Sequence, residues 1–108
     1  MNLTKDAVIS EAKLKHYLLI WRPKNDKSRW LASAGYTIDH WRQLLADIRS
    51  LLDYPATFAG ENPWGCLYEI RGVLIGPNGK VLSVRSIWMI ESETGLTKFI
   101  TLYADKKK

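Results

Sequence analysis

"CLYEIRGVLIGPNGKVLSVRSIWMI", residues 66–90, decides the fold of this chain. β-Branched and aromatic residues dominate on both sides of Gly76-Pro77-Asn78-Gly79. Pro77 presets one φ and Asn-Gly accepts positive φ, so the segment reads as two antiparallel strands joined by a tight turn. Side chains alternate along a strand. In the second strand Leu82, Val84, Ser86, Trp88 and Ile90 make the better core set. Val81, Ser83, Arg85, Ile87 and Met89 then face away, so the permanent cation of Arg85 points off the core. In the first strand Tyr68, Ile70 and Leu74 contrast with Leu67, Glu69, Arg71, Val73 and Ile75.

Working outward, "LTKFITLYA" (96–104) reads as the last strand, with Ile100 and Leu102 inward and Thr97, Phe99, Thr101 and Tyr103 outward. "ATFAGE" (56–61) is a weak first strand. Upstream the rhythm becomes helical. "SEAKLKHYLL" (10–19) carries Leu14, Tyr17 and Leu18 on one face behind a Ser10 cap. "DKSRWLASAG" (26–35) has Asp26 as cap and Gly35 as stop. "TIDHWRQLLADIRSLLDY" (37–54) carries the stripe Trp41, Leu44, Leu45, Ile48, Leu51 and Leu52, with Thr37 or Asp39 to cap it. The expectation is an α+β fold, with about three N-terminal helices packed on one face of a four-stranded antiparallel sheet. Residues 1–108 read as a single domain, ordered over about 8–104, with a basic tail at 105–108.

The 16 Lys and Arg against 11 acids give a formal charge of +5, which favours an anionic partner such as nucleic acid. The single cysteine, Cys66, excludes a disulfide within the chain and reads as a buried, inert thiol. With no CxxC and no His/Cys cluster, no metal site is expected. No P-loop, GxGxxG, GxSxG or HExxH occurs, and no cofactor is expected. Lys13, Lys15 and His16 interrupt any signal-peptide core, and no stretch approaches a membrane span. A cytoplasmic protein without a membrane partner is the default, and the same features would suit a toxin domain cut from a larger secreted chain. His16 reads as a surface residue and His40 as part of a helix start. Glu91 and Glu93 read as solubilising turn charges. Trp64 sits in a loop, either as a partner contact or folded over the sheet edge.

If pairing keeps register, Glu69, Arg71, Arg85, Thr101 and Tyr103 share the uncovered face of the sheet. Cations, hydroxyls and aromatics mixed on one surface suit RNA. Arginines take phosphate bidentately, and Tyr103 or Phe99 can stack a base. Arg71, Phe99 and Lys98 are the expected nucleic-acid contacts. The alternative is that Arg85 pairs with Glu69 across strands as a solvated ion pair.

Five groups of residues carry a family resemblance. They are Lys13-Leu14 with Tyr17-Leu18-Leu19, and Lys27 ahead of Trp30-Leu31 and Gly35-Tyr36. Gly72 with Gly76-Pro77-Asn78-Gly79, Val84-Arg85-Ser86-Ile87-Trp88 and Ile100-Thr101-Leu102-Tyr103 complete them. Over roughly residues 8–104 this pattern resembles the bacterial DUF6883-type family. The loop before Lys27 departs from it by lacking a His, and Ala104 stands where Pro is usual. More distantly, helices followed by a four-stranded antiparallel sheet ending in Thr-x-Tyr look like the ribonuclease toxin fold shared by barnase, EndoU, colicin nucleases and RelE. That resemblance implies metal-independent RNA cleavage by 2′-OH attack, on tRNA or ribosome-bound mRNA for example. It also implies a cognate antitoxin or immunity protein. In it Arg85 is the cation against developing charge, and Lys27 a second cation or proton donor. Thr101 is a hydrogen-bond partner for phosphate, and Tyr103 a proton donor or stacking ring. Each has a plainer reading, as ion pair, solvated lysine or ordinary strand residue.

Overall fold

The computed structural model describes residues 1–24 and 26–105. The order is α1 (Glu11–Lys13) running into a π-helical turn (Leu14–Leu18), α2 (Ser28–Ala32) and α3 (Trp41–Ser50). Four strands follow: β1 (Ala56–Asn62), β2 (Gly65–Ile75), β3 (Val81–Glu91) and β4 (Thr97–Ala104). They pair antiparallel in sequence order. This is the expected α+β arrangement. Of the expected basic tail, positions 106–108 lie outside the described residues.

Ser10 caps α1 by accepting from the Lys13 N–H. The segment then widens, so that the Leu19 N–H reaches the Leu14 carbonyl at 3.0 Å. Leu14 and Leu18 remain fully buried. Asp26 caps α2, its carboxylate accepting from the backbone N–H groups of Ser28 and Arg29. Gly35 ends that segment at φ +94°. The third helix starts differently from expectation. A 3-10 turn, Ile38–His40, leads into it, and the Thr37 hydroxyl pairs with His40 Nδ1 instead of capping a backbone N–H. The stripe is as read: Leu44, Ile48, Leu51 and Leu52 are buried, and Trp41 and Leu45 pack at its margin.

This stripe meets Ile70, Leu74, Leu82, Val84, Trp88 and Leu102 on one face of the sheet. Gly72 lets the helices close in, because a Cβ there would come within 2.9 Å of Leu51 and Tyr54. The hairpin tip docks on the end of α2. Asn78 donates to the Ser33 and Ala34 carbonyls, and a Cβ on Gly76 would lie 1.9 Å from the Ala34 oxygen. Inside the core, Ser86 Oγ donates to the Ile70 carbonyl and accepts from Trp88 Nε1. Tyr36 donates to Asp47, and burial followed by that carboxylate raises its phenol well above the usual range.

The last strand corrects the reading of its alternation. Ile87 pairs with Thr101, but Trp88 pairs with Phe99, so Ile100 is an extra residue, a β-bulge. The bulge turns Thr97 and Phe99 to the core, while Thr101 and Tyr103 keep the outer face. Phe99 is 3% exposed and sits edge-on to Trp88 at 5.3 Å. It has no free face to stack a base. Backbone bonds from the Val8 region run along this edge of β4, with Val8 N–H to Thr97 O and Phe99 N–H to Val8 O, both 2.8 Å. Cys66 is half-buried rather than buried.

Candidate functional site

The uncovered face is organised by register. Arg71 stands opposite Arg85, and Arg85 opposite Tyr103, in one row across three strands. The neighbouring row is Glu69, Ile87 and Thr101. Two cations directly opposite each other repel, and Glu69 lies diagonally between them. One of its oxygens accepts from Arg71 Nε at 3.0 Å and the other from Arg85 Nη1 at 3.1 Å. The ion pair and the shared polar face are therefore both present. Glu69 engages only one guanidinium nitrogen of Arg85, and a guanidinium carries several further donors.

Lys27 enters from outside the sheet. The loop before α2 carries it past the edge of β4, where Nζ donates to Thr101 Oγ1 at 2.8 Å. The ammonium also lies 4.1 Å from the centre of the Tyr103 ring, and the Arg85 guanidinium 5.3 Å from it. Tyr103 is thus flanked by two cations, a favourable use of its ring quadrupole. Burial lowers the Lys27 pKa below the ordinary 10.5, and the nearby charges of Arg22 and Lys13 lower it further. Arg85, Thr101, Tyr103 and Lys27 therefore meet at one place, with Arg71 beside them.

Tyr103 is the common wall of three depressions. One is lined by Arg71, Arg85, Ala104 and Asp105, a second by Lys13, Tyr17, Ile100 and Thr101, and a third by Tyr17, Asp26 and Lys27. Tyr17, Arg22 and Lys13 are not among the site residues expected from sequence, although Lys13 and Tyr17 stand in the family pattern. Tyr17 reads as core stripe, and the charged run Arg22 to Lys27 between two helices is a further signal. Arg22 lies 4.3 Å from the Tyr17 ring centre. Asp26, whose carboxyl is held below its usual pKa chiefly by the Ser28 hydroxyl, also accepts from the Arg22 N–H and so ties the loop together.

Lys98 does not join this group. It pairs with Met89, four residues along β3 from Arg85, and its ammonium is held by Glu91 at 2.7 Å. That contact, with Thr94, keeps the Glu91 carboxyl below its usual pKa, so Glu91 is an ion-pair partner and not merely a solubilising charge. His16 and His40 are exposed and line none of the three depressions. Trp64 is 69% exposed, at the far end of the sheet beside Glu91 and Glu93. Among the described residues no cluster of His, Cys, Asp and Glu has the makings of a metal site. Among them, too, no helix is long and apolar enough to cross a membrane.

A family model for a domain of unknown function, DUF6883, matches residues 1–106. The chain belongs to the DUF6883 family. The match takes in every residue of the Arg71, Arg85, Tyr103, Thr101 and Lys27 group. No curated protein matches this DUF6883 chain. Among solved structures, a chain of the contact-dependent growth inhibition toxin–immunity protein complex from Klebsiella pneumoniae 342 shares its fold. The TM-score is 0.70 at 17% identity, over 92% of this chain and 100% of that one.

Proposed function

We propose that this DUF6883 chain is a toxin-type endoribonuclease that cleaves RNA without a metal ion and is held in check by a cognate immunity or antitoxin protein. The observation that carries the reading is the convergence of Arg85, Tyr103, Thr101 and Lys27 on the uncovered sheet face. The fold shared with a chain of a toxin–immunity complex supports it. In this reaction the ribose 2′-oxygen bonds to the adjacent phosphorus and the bond to the 5′-oxygen breaks. Arg85, with Arg71, holds the phosphate oxygens as negative charge grows on them. Thr101 donates a hydrogen bond to the same group. Glu69, the carboxylate nearest the two arginines, accepts the 2′-OH proton. Lys27 returns a proton to the departing 5′-oxygen, a step favoured by its lowered pKa. Tyr103 orients the nucleotide between the two cations. The site of action is a cytoplasm, that of the producing cell or of a cell that receives the domain.

The test is to incubate end-labelled RNA with the chain and with Arg85→Ala, in a metal chelator, and to map the product ends. Expected are a cyclic phosphate and a 5′-OH from the wild type, and a rate about 100-fold lower from the variant. Intact RNA with both proteins sinks the catalytic reading. One observation favours a second reading: Glu69 already neutralises part of both arginines. A non-catalytic module that binds RNA or an acidic protein through the same face would give salt-sensitive retention on a filter and no product.

A further inference from the structure

The cleft lined by Tyr17, Asp26, Lys27 and Tyr103 lies next to the phosphate-facing residues and shares Lys27 and Tyr103 with the chemistry above, which makes no use of Tyr17 or Asp26. Its volume is about 320 Å³, within the range of roughly 300–1,000 Å³ typical of small-ligand clefts. Two aromatic rings line it, and Lys27 Nζ lies 4.1 Å from the Tyr103 centre and 5.8 Å from the Tyr17 centre. The Arg22 guanidinium lies against the Tyr17 ring, 4.3 Å from its centre. Lys13 lines the adjoining depression shared by Tyr17 and Tyr103. Aromatic rings alternating with cations beside a groove form the surface that holds single-stranded nucleic acid, because bases stack on the rings while the cations follow the backbone.

We propose that the cleft between Tyr17 and Tyr103 is a nucleobase slot, taking the base of a single-stranded RNA next to the phosphate held at Arg85, with Arg22 backing Tyr17. The slot rests on the RNA reading of the face above, although not on cleavage. Its position follows from local structure. The π-helical turn carries Tyr17 while keeping Leu14 and Leu18 in the core, and Asp26 pins Arg22 and the start of α2 together. Two separate elements thus converge on a strand residue to make the walls.

The experiment measures binding of a short 2′-O-methyl oligonucleotide, which lacks the attacking hydroxyl, and of the same oligonucleotide with single abasic positions. For the wild type, removing the base at one position is expected to weaken binding by roughly 5- to 100-fold, the worth of one stacked base. Tyr17→Ala is expected to lose a similar factor and to become insensitive to removal of that base. Tyr17→Trp, which keeps a ring, is expected to retain both affinity and sensitivity. A merely structural role for Tyr17 would weaken intact and abasic oligonucleotides alike. Should Tyr17→Ala fail to fold, Arg22→Ala carries the same comparison, with its loss of affinity expected to shrink when that base is absent. No binding by the wild type, no base-sensitive position, or an undiminished abasic effect in the variants overturns the slot. Cleavage of unmodified RNA is scored separately. Intact RNA together with base-sensitive binding removes the catalytic reading and keeps the slot, whereas cleavage without base sensitivity does the reverse.

Discussion

Lys27 Nζ donates to Thr101 Oγ1 at 2.8 Å, joining the start of α2 to the edge strand across 74 residues of sequence. That contact brings an ammonium into a half-buried position beside Tyr103 and between the charges of Arg22 and Lys13. Its pKa is lowered by the burial first and by those cations second.

The first prediction concerns pH. The Lys27 pKa in the folded chain lies below its unfolded value of 10.5. Between those two values the unfolded chain binds more protons, so this group makes stability rise with pH across that window. Below the folded value its full cost is present. Urea midpoints of the wild type and Lys27→Met, compared at a series of alkaline pH values, should converge or cross as pH rises through the window. Parallel profiles would show that the lysine titrates as it does in water.

A second prediction follows from Arg71 standing opposite Arg85. Glu69 is the carboxylate that offsets two facing cations, so Glu69→Gln should lower stability by about 1 kcal/mol at low ionic strength. High salt should recover most of that loss through screening. A loss that salt leaves unchanged would mean that packing, not charge, was removed.

The bulge at Ile100 makes a third. Phe99→Ala removes a buried ring from against Trp88 and should cost about 3–5 kcal/mol. Tyr103→Ala, at 41% exposure, should cost less than about 1 kcal/mol. Equal and small losses in denaturant titrations would place Phe99 on the outer face after all.

Ser86 makes a fourth. Its hydroxyl serves the Ile70 carbonyl at 3.0 Å and Trp88 Nε1 at 2.8 Å, in a site from which water is excluded. Ser86→Ala leaves the indole N–H without that acceptor and should cost about 1–3 kcal/mol. An unchanged unfolding free energy would mean that the indole finds another partner.

Much of this is legible in the sequence, where local chemistry and periodicity agree. The turn at Gly76–Gly79 pins the register of β2 and β3, and a fixed register with alternation of two puts Glu69, Arg71 and Arg85 on one face. The leucine stripe of α3 and the caps at Ser10 and Asp26 were likewise readable, because each depends on residues within a few positions. The cap at Thr37 was misread because its hydroxyl takes the nearby imidazole of His40.

The kinds of elements, their order and the placing of Glu69, Arg71 and Arg85 on one sheet face follow from spacing within single segments. Other features follow only from packing between distant segments. One extra residue in β4 reversed the facing of Thr97 and Phe99, and alternation cannot show a bulge that depends on pairing with β3 and with the Val8 segment. Closure of the chain around the edge of the sheet brought Lys27, Arg22 and Tyr17 to Thr101 and Tyr103. That meeting depends on how the helices pack over Gly72 and Gly76, where missing side chains let backbone and side chain approach closely. Contacts between residues so far apart in sequence have no local pattern to announce them, because it is burial of the common core that places them.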